Sequence, residues 1–285
     1  MLNLLLAILF SSFLYLIFKL FVKYNINTLQ AIIFNYVIAF FVGYIISPIH
    51  FSISELLSAP WLIGSIFLGF MFICVFNILG KTTQVNGISV ASVSSKMAMI
   101  IPIMFGIIVF HENLGISKLT GIIIALLAVY FTSKKESGAI QTSNYTLPTL
   151  LFLGAGIIDT SMNYIQYHYV KKDEASVFAS FTFIFAFIFG ILFFIIKSFK
   201  EENKIKGKNI LAGIILGVPN YFSMYYLIKA LQNKNIESAT IFTLINIGVI
   251  LLTTIFSLLI FNEKIKRQNY IGILLAIIAV FLVTK

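Results

Sequence analysis

Charge is what this sequence has least of. Of its 285 residues only 11% are Asp, Glu, Lys or Arg, less than half the roughly 25% of a soluble domain. A fully water-facing surface cannot be built from so few charges. The single cysteine, Cys74, excludes a disulfide scaffold within the chain. His50, His111 and His168 are scattered at the ends of apolar runs and show no metal-ligand spacing. No His-Glu-x-x-His, Gly-x-Ser-x-Gly, glycine-rich phosphate loop or pair of membrane aspartates occurs. An intramembrane enzyme is therefore the lesser reading, with no catalytic residue, cofactor or metal implied. Basic residues outnumber acidic ones 20 to 10, but they lie in short clusters between apolar runs rather than along a stripe. That distribution fits lipid headgroups and argues against nucleic acid.

What is abundant is apolar surface: 60% hydrophobic residues, 30 Phe and 13 Tyr, with a mean hydropathy of +1.01. A helical crossing of the bilayer core takes roughly 20 apolar residues, and ten stretches of that kind are present: 2–22, 28–48, 60–82, 87–110, 115–133, 147–170, 174–197, 208–231, 236–261 and 266–284. The longest connections, 49–59 and 134–146, are too short to be domains. The first run lacks a preceding basic residue and a following cleavage site, so it reads as an uncleaved crossing. The expected fold class is an all-α membrane protein, multi-pass in the cell membrane.

The ten crossings repeat. At an offset of 148, Leu68 and Gly69 fall on Leu216 and Gly217, Lys81 on Lys229, Gln84 on Gln232, and Ser65-x-x-x-Gly69 on Gly213-x-x-x-Gly217. At an offset of 151, Glu112 falls on Glu263, Gly121 on Gly272, Ala125 on Ala276 and Val129 on Val280. Five crossings per half is an odd number, so the second half enters the membrane in the opposite sense. Two inverted five-helix repeats, 1–134 and 135–285, are the expected domains. Such repeats are typical of secondary transporters, where one central site opens to either side in turn. The Gly/Ser-x-x-x-Gly pairs read as places where helices approach closely.

Ten crossings in two repeats, the Lys229-Ala230-Leu231 step, and the signatures Phe110-His-Glu112-Asn-Leu and Phe261-Asn-Glu263-Lys-Ile, followed by Gly121 and Gly272, resemble the EamA family of the drug/metabolite transporter superfamily. One departure is Pro102 in crossing 4, where the second half has Thr253. The resemblance covers essentially the whole chain and implies a small-molecule carrier of the inner or plasma membrane, often an exporter of amino acids, metabolites or drugs. The expected function is secondary-active export of small organic metabolites such as amino acids by alternating access, as a monomer or homodimer. An importer, a facilitative carrier or a lipid flippase of the same fold remains the alternative. Basic residues at alternate ends of the crossings, thirteen against six, favour both termini outside; the resemblance implies both in the cytoplasm.

Ionisable groups deep in a crossing cost at least about 2.5–3.5 kcal/mol to insert, which makes each a functional candidate. Two qualify, Lys96 in crossing 4 and Asp159 in crossing 6, at depths that differ by roughly 4–5 Å. Ser89, Ser92 and Lys96 share one helix face, and so do Asp159, Asn163 and Gln166. Polar stripes of this kind suit a wet cavity; a buried structural salt bridge is the competing reading. The expected substrate-binding set is Lys96, Asp159, Asn163, Ser92, Ser12, Asn77, Asn220 and Asn246, with the last three equally able to join helices. A zwitterion could engage Lys96 and Asp159 together, and protonation of a displaced Asp159 would couple transport to protons. Crossings 5 and 10, nearly free of polar side chains, are expected at the periphery against lipid or a second protomer. Tyr36, Tyr164, Tyr167, Tyr221 and Tyr225 read as lipid-facing packing more than as pocket lining.

Overall fold

The computed structural model describes residues 2–49, 51–101, 105, 115–133, 145–171, 173–198, 205–231, 238–262 and 267–283. Among them the chain is helical: α1 Leu2–Lys23, α2 Thr28–Ile46, α3 Ile53–Ser58, α4 Leu62–Asn86, α5 Ile88–Met97, α6 Ile116–Ser133, α7 Thr146–Tyr169, α8 Ala175–Ser198, α9 Gly207–Leu231, α10 Ser238–Leu259 and α11 Arg267–Val283. Five of these, α1, α2, α4, α8 and α9, are long and apolar enough to cross a membrane; shorter apolar stretches run over Leu244–Leu259 and Arg267–Leu282. Large apolar side chains such as Leu2, Ile45, Ile63, Leu211 and Leu274 stand outward, as they do where lipid and not water is the solvent.

Local chemistry sets the helix ends. Asn27 caps α2, its side chain accepting from the Gln30 amide at 3.1 Å, and Asn25 turns the preceding link with φ of 50°. Ser52 and Glu55 form a reciprocal capping box on α3, a six-residue helix inside the 49–59 connection. α4 passes to α5 through one residue, Gly87, whose φ of 100° and ψ of 164° belong to a region that only glycine occupies readily.

Crossing 4 is not the continuous 87–110 helix that its hydropathy suggests. α5 stops at Met97, the chain turns at Ala98 and Met99, and helix resumes at Ile100 and Ile101, with the Ile101 amide donating to the Ala98 carbonyl at 2.9 Å. Proline at 102 supplies the physical reason, since it has no amide to give the Ala98 carbonyl and crowds it. Pro102, His111, Glu112 and Glu263 themselves lie outside the described residues.

The chain forms two compact units, each drawing on both halves of the sequence: residues 1–77 with 161–233, and 78–160 with 234–285. In the first, α2 packs on both α8 and α9, and α1 on α9. Small residues permit this: a Cβ at Gly213 would stand 2.5 Å from the Phe34 Cβ, and one at Gly69 would stand 2.8 Å from the Ala186 amide nitrogen. Tyr36, Phe72, Phe76 and Phe183 form a layer of rings with centroids 5.7–6.4 Å apart.

In the second unit α6 and α11 pack against each other and against α5, and α10 packs on α5 and α11. Ser117 at the start of α6 donates to the Leu282 carbonyl at the end of α11 at 3.0 Å, so the two helices run antiparallel. Ile122, Ala125 and Ala128 are buried, as are Ile273, Ala276 and Ala279, the residues 151 positions later. Crossings 5 and 10 thus spend their small faces on one another, not only on lipid.

Candidate functional site

Four of the eight expected site residues belong to the second unit. Lys96 lies in the last turn of α5, one residue before the helix stops, so its ammonium sits at the end where helix carbonyls lack partners and the dipole is negative. Asp159 lies in the half of α7 that belongs to the same unit. Both side chains are half-buried, and they are close enough for their opposite charges to interact. No hydrogen bond joins them among the described residues. Ser92, fully buried, donates to the Ser89 carbonyl at 3.0 Å. The hydroxyls of Ser89 and Ser94, also buried on α5, have no hydrogen-bond partner among the described residues. Asn246 on α10 donates to the Met99 sulfur at 2.9 Å, beside the break in crossing 4. Thr160 spends its hydroxyl on the Gly156 carbonyl at 2.7 Å.

The other four lie in the first unit and are more occupied. Ser12 donates to the Ile8 carbonyl at 2.8 Å and Asn77 to the Ile73 carbonyl at 2.7 Å, both within their own helices. Asn220 donates to the Asn35 side chain at 3.1 Å, joining α9 to α2, which is the helix-joining role. Asn163 is half-buried and has no hydrogen-bond partner among the described residues.

The aromatic expectation needs correcting. Tyr36 and Tyr221 are fully buried inside the first unit and do not face lipid. The Tyr221 hydroxyl bonds Ser176 at 2.8 Å, whereas the Tyr36 hydroxyl has no partner among the described residues. Tyr164 is exposed and Tyr225 half-buried; the side chain of Tyr167 is outside the described set. Polar residues not anticipated from sequence include Asn35, the buried Gln30–Asn209 pair with 2.6 Å between the amide nitrogen and oxygen, and Glu174, whose carboxylate accepts from the Trp61 indole at 3.1 Å. Asn35 and Gln30 show in the sequence only as polar residues at or within an apolar run, whereas Asn209 follows Lys208 and Glu174 follows Lys171, Lys172 and Asp173, where a charged residue reads as solvated.

In the second unit the chemistry available is opposed charges, serine hydroxyls and an amide on helices, with a break in one of them. Residues 146–285 match the EamA-like transporter family. The chain is 29% identical to an uncharacterised protein of Haemophilus influenzae, covering 98% of this chain and 96% of that one. It is 25% identical to a probable glucose uptake protein, GlcU, of Bacillus cereus, over 88% of this chain and 83% of the relative. A second probable GlcU, from Priestia megaterium, is 24% identical over 90% and 85%. A solved crystal structure superposes with a TM-score of 0.60 at 15% identity, covering 99% of this chain and 94% of that one; the fold is common to both.

Proposed function

With residues 146–285 belonging to the EamA-like transporter family, we infer that this membrane transporter is a secondary-active exporter of small organic metabolites such as amino acids. It works by alternating access in the cell membrane, with ten crossings arranged as inverted repeats 1–134 and 135–285. The antiparallel packing of α6 on α11 through residues 151 apart supports the inversion.

The observation that carries the reading is the half-buried pair Lys96 and Asp159 at the break in crossing 4. Opposite charges that interact with no hydrogen bond between them suit a ligand with both signs: a substrate carboxylate at Lys96 and a substrate ammonium at Asp159. Ser92 and Asn246, in the same unit, are the further candidates for contact with this ligand; Asn163, Ser12, Asn77 and Asn220, the other candidate substrate-binding residues, belong to the first unit. Proton coupling follows when Asp159, displaced from Lys96 by a substrate carboxylate, takes up a proton.

A second reading, uptake of a neutral sugar, is favoured by the names of the Bacillus and Priestia relatives. Proteoliposomes loaded with labelled amino acids or glucose, with and without a pH gradient, separate the two. Amino-acid efflux driven by the gradient is expected. Asp159→Asn and Lys96→Met should each abolish it, and the double variant should recover folding without activity, because a lone buried charge is the costly state. Normal transport by Asp159→Asn with unchanged pH dependence would make the pair structural, and glucose uptake alone would select the second reading.

A further inference from the structure

The link between α1 and α2 and the start of α9 meet in the first unit through a buried polar lock. Asn209 donates to the Gln30 side-chain oxygen at 2.6 Å, the Asn27 amide donates to the Asn209 oxygen at 3.0 Å, and the Lys206 amide donates to Gln30 at 3.4 Å. With Gln30 and Asn209 buried and bonded to each other, this network fixes where the neighbouring exposed side chains stand. Around it the cations gather on Tyr24. The Lys208 ammonium donates to the Tyr24 carbonyl at 3.1 Å, and the Lys23 ammonium lies 5.8 Å from the Tyr24 ring centre. Lys206, whose amide bonds Gln30, stands two residues before Lys208 and is exposed like both other lysines. Tyr24 itself is 59% exposed at the end of an apolar helix, the position of an interfacial aromatic.

These positions are wrong for helix stability. Lys206 and Lys208 flank the N-terminus of α9, where the dipole repels cations, and its first turn holds no acidic residue. Lys208 is held by a neutral carbonyl, and residues 19–30 and 205–210 contain no Asp or Glu. The whole 197–208 connection carries five lysines against two glutamates, Glu201 and Glu202, which lie outside the described residues. Like charges converging on a helix N-terminus call for an anion, and one at the end of membrane helices meets headgroups first.

We propose that Lys23, Lys206 and Lys208, held around Tyr24 by the Asn27–Gln30–Asn209 lock, bind the phosphate of an anionic lipid headgroup. The site is independent of the transported substrate and places this end of the first unit in the leaflet richer in anionic lipid.

Native mass spectrometry of the full chain, titrated with phosphatidylglycerol or phosphatidylcholine, tests it. Selective retention of phosphatidylglycerol is expected, weakened about fivefold by each of Lys23→Ala, Lys206→Ala and Lys208→Ala, and weakened further by added salt. Lys208→Arg should keep the affinity, and so should Lys229→Ala, which removes an exposed lysine at the opposite end of α9. Equal retention of phosphatidylcholine, equal loss in Lys229→Ala, or affinity unchanged by the three alanine variants overturns the site. Displacement by inorganic phosphate at matched concentration overturns the lipid as its occupant.

Discussion

Replacing Gly217 by alanine puts a methyl group where α9 lies against α2. The added Cβ would stand 2.7 Å from the Asn35 carbonyl oxygen and 2.8 Å from the Ile38 Cβ, against 3.4 Å or more for ordinary contact. Backbone cannot swing aside as a side-chain end can, so α9 must retreat by about 0.7 Å, the difference between 3.4 and 2.7. Overpacking of this size costs about 1–3 kcal/mol. The retreat also stretches the Asn220–Asn35 bond, 3.1 Å long and three residues further along α9, towards 3.8 Å, beyond bonding distance. Interhelical bonds of this kind contribute about 0.6–1.7 kcal/mol, so the total is about 2–5 kcal/mol. Thermal unfolding in detergent, followed by the fluorescence of the single tryptophan, should show a melting temperature roughly 5–15 °C lower. Gly207→Ala is the matched control, because nothing lies within 4 Å of its added Cβ; it should be neutral or slightly stabilising. The packing argument is refuted if Gly217→Ala melts with the wild type, or if Gly207→Ala falls as far.

Two further outcomes follow from groups near the membrane surface. Glu174→Gln should shift the emission of Trp61, which is fully buried and donates to that carboxylate at 3.1 Å, and should cost about 1–3 kcal/mol as a buried charge-assisted bond is weakened; an unmoved spectrum would show that the bond does not form in solution. The Ser52 hydroxyl and amide, at 2.7 and 2.8 Å from Glu55, hold its carboxyl below the usual range. The support this gives the α3 cap is complete above the ordinary carboxylate pKa and is lost as the pH falls through the lowered value; hydrogen exchange in α3 that stays constant across that window would contradict it.

Helix positions were largely legible because an apolar run bounded by Asn, Lys or Gly has few other solutions in a bilayer. Runs 2–22, 28–48, 147–170 and 208–231 became Leu2–Lys23, Thr28–Ile46, Thr146–Tyr169 and Gly207–Leu231. The break in crossing 4 was legible only through Pro102, a residue that frees a helix carbonyl and can bend the helix, because Met97, Ala98 and Met99 are as apolar as a continuous helix requires. The short α3 was readable from its Ser52-x-x-Glu55 box, a local signal that hydropathy overlooks. For the candidate site, Lys96 and Asp159 stood out because the membrane makes any charge conspicuous. Asn35 did not, because its partner Asn220 is 185 residues away and a lone amide in an apolar run has no period. Tyr36 and Tyr221 went inward where composition pointed to lipid, because tertiary packing decides which side of a helix is interior.

The way the packing draws on both halves leads to a last expectation, about folding. α2 rests on α8 and α9, and α6 rests on α11, so neither segment 1–134 nor segment 135–285 contains a complete set of partners. In lipid an unpartnered apolar face costs little, because lipid tails are as apolar as leucine. What a lone half loses is specific: the close seat of Gly213 and Gly217 on α2, the Asn35–Asn220 and Gln30–Asn209 bonds, and the Ser117–Leu282 bond. Asn35 and Gln30 would then be buried amides without their partners across the chain, and their exposure to hydrocarbon is the expensive part. Each half expressed alone should insert and yet be degraded or aggregate. Co-expressed from separate reading frames, the two should co-purify and melt cooperatively, with the Gly217→Ala penalty intact. A lone 1–134 fragment that is stable and monodisperse would mean that the repeats are self-sufficient and that the packing between α2 and α9 contributes little.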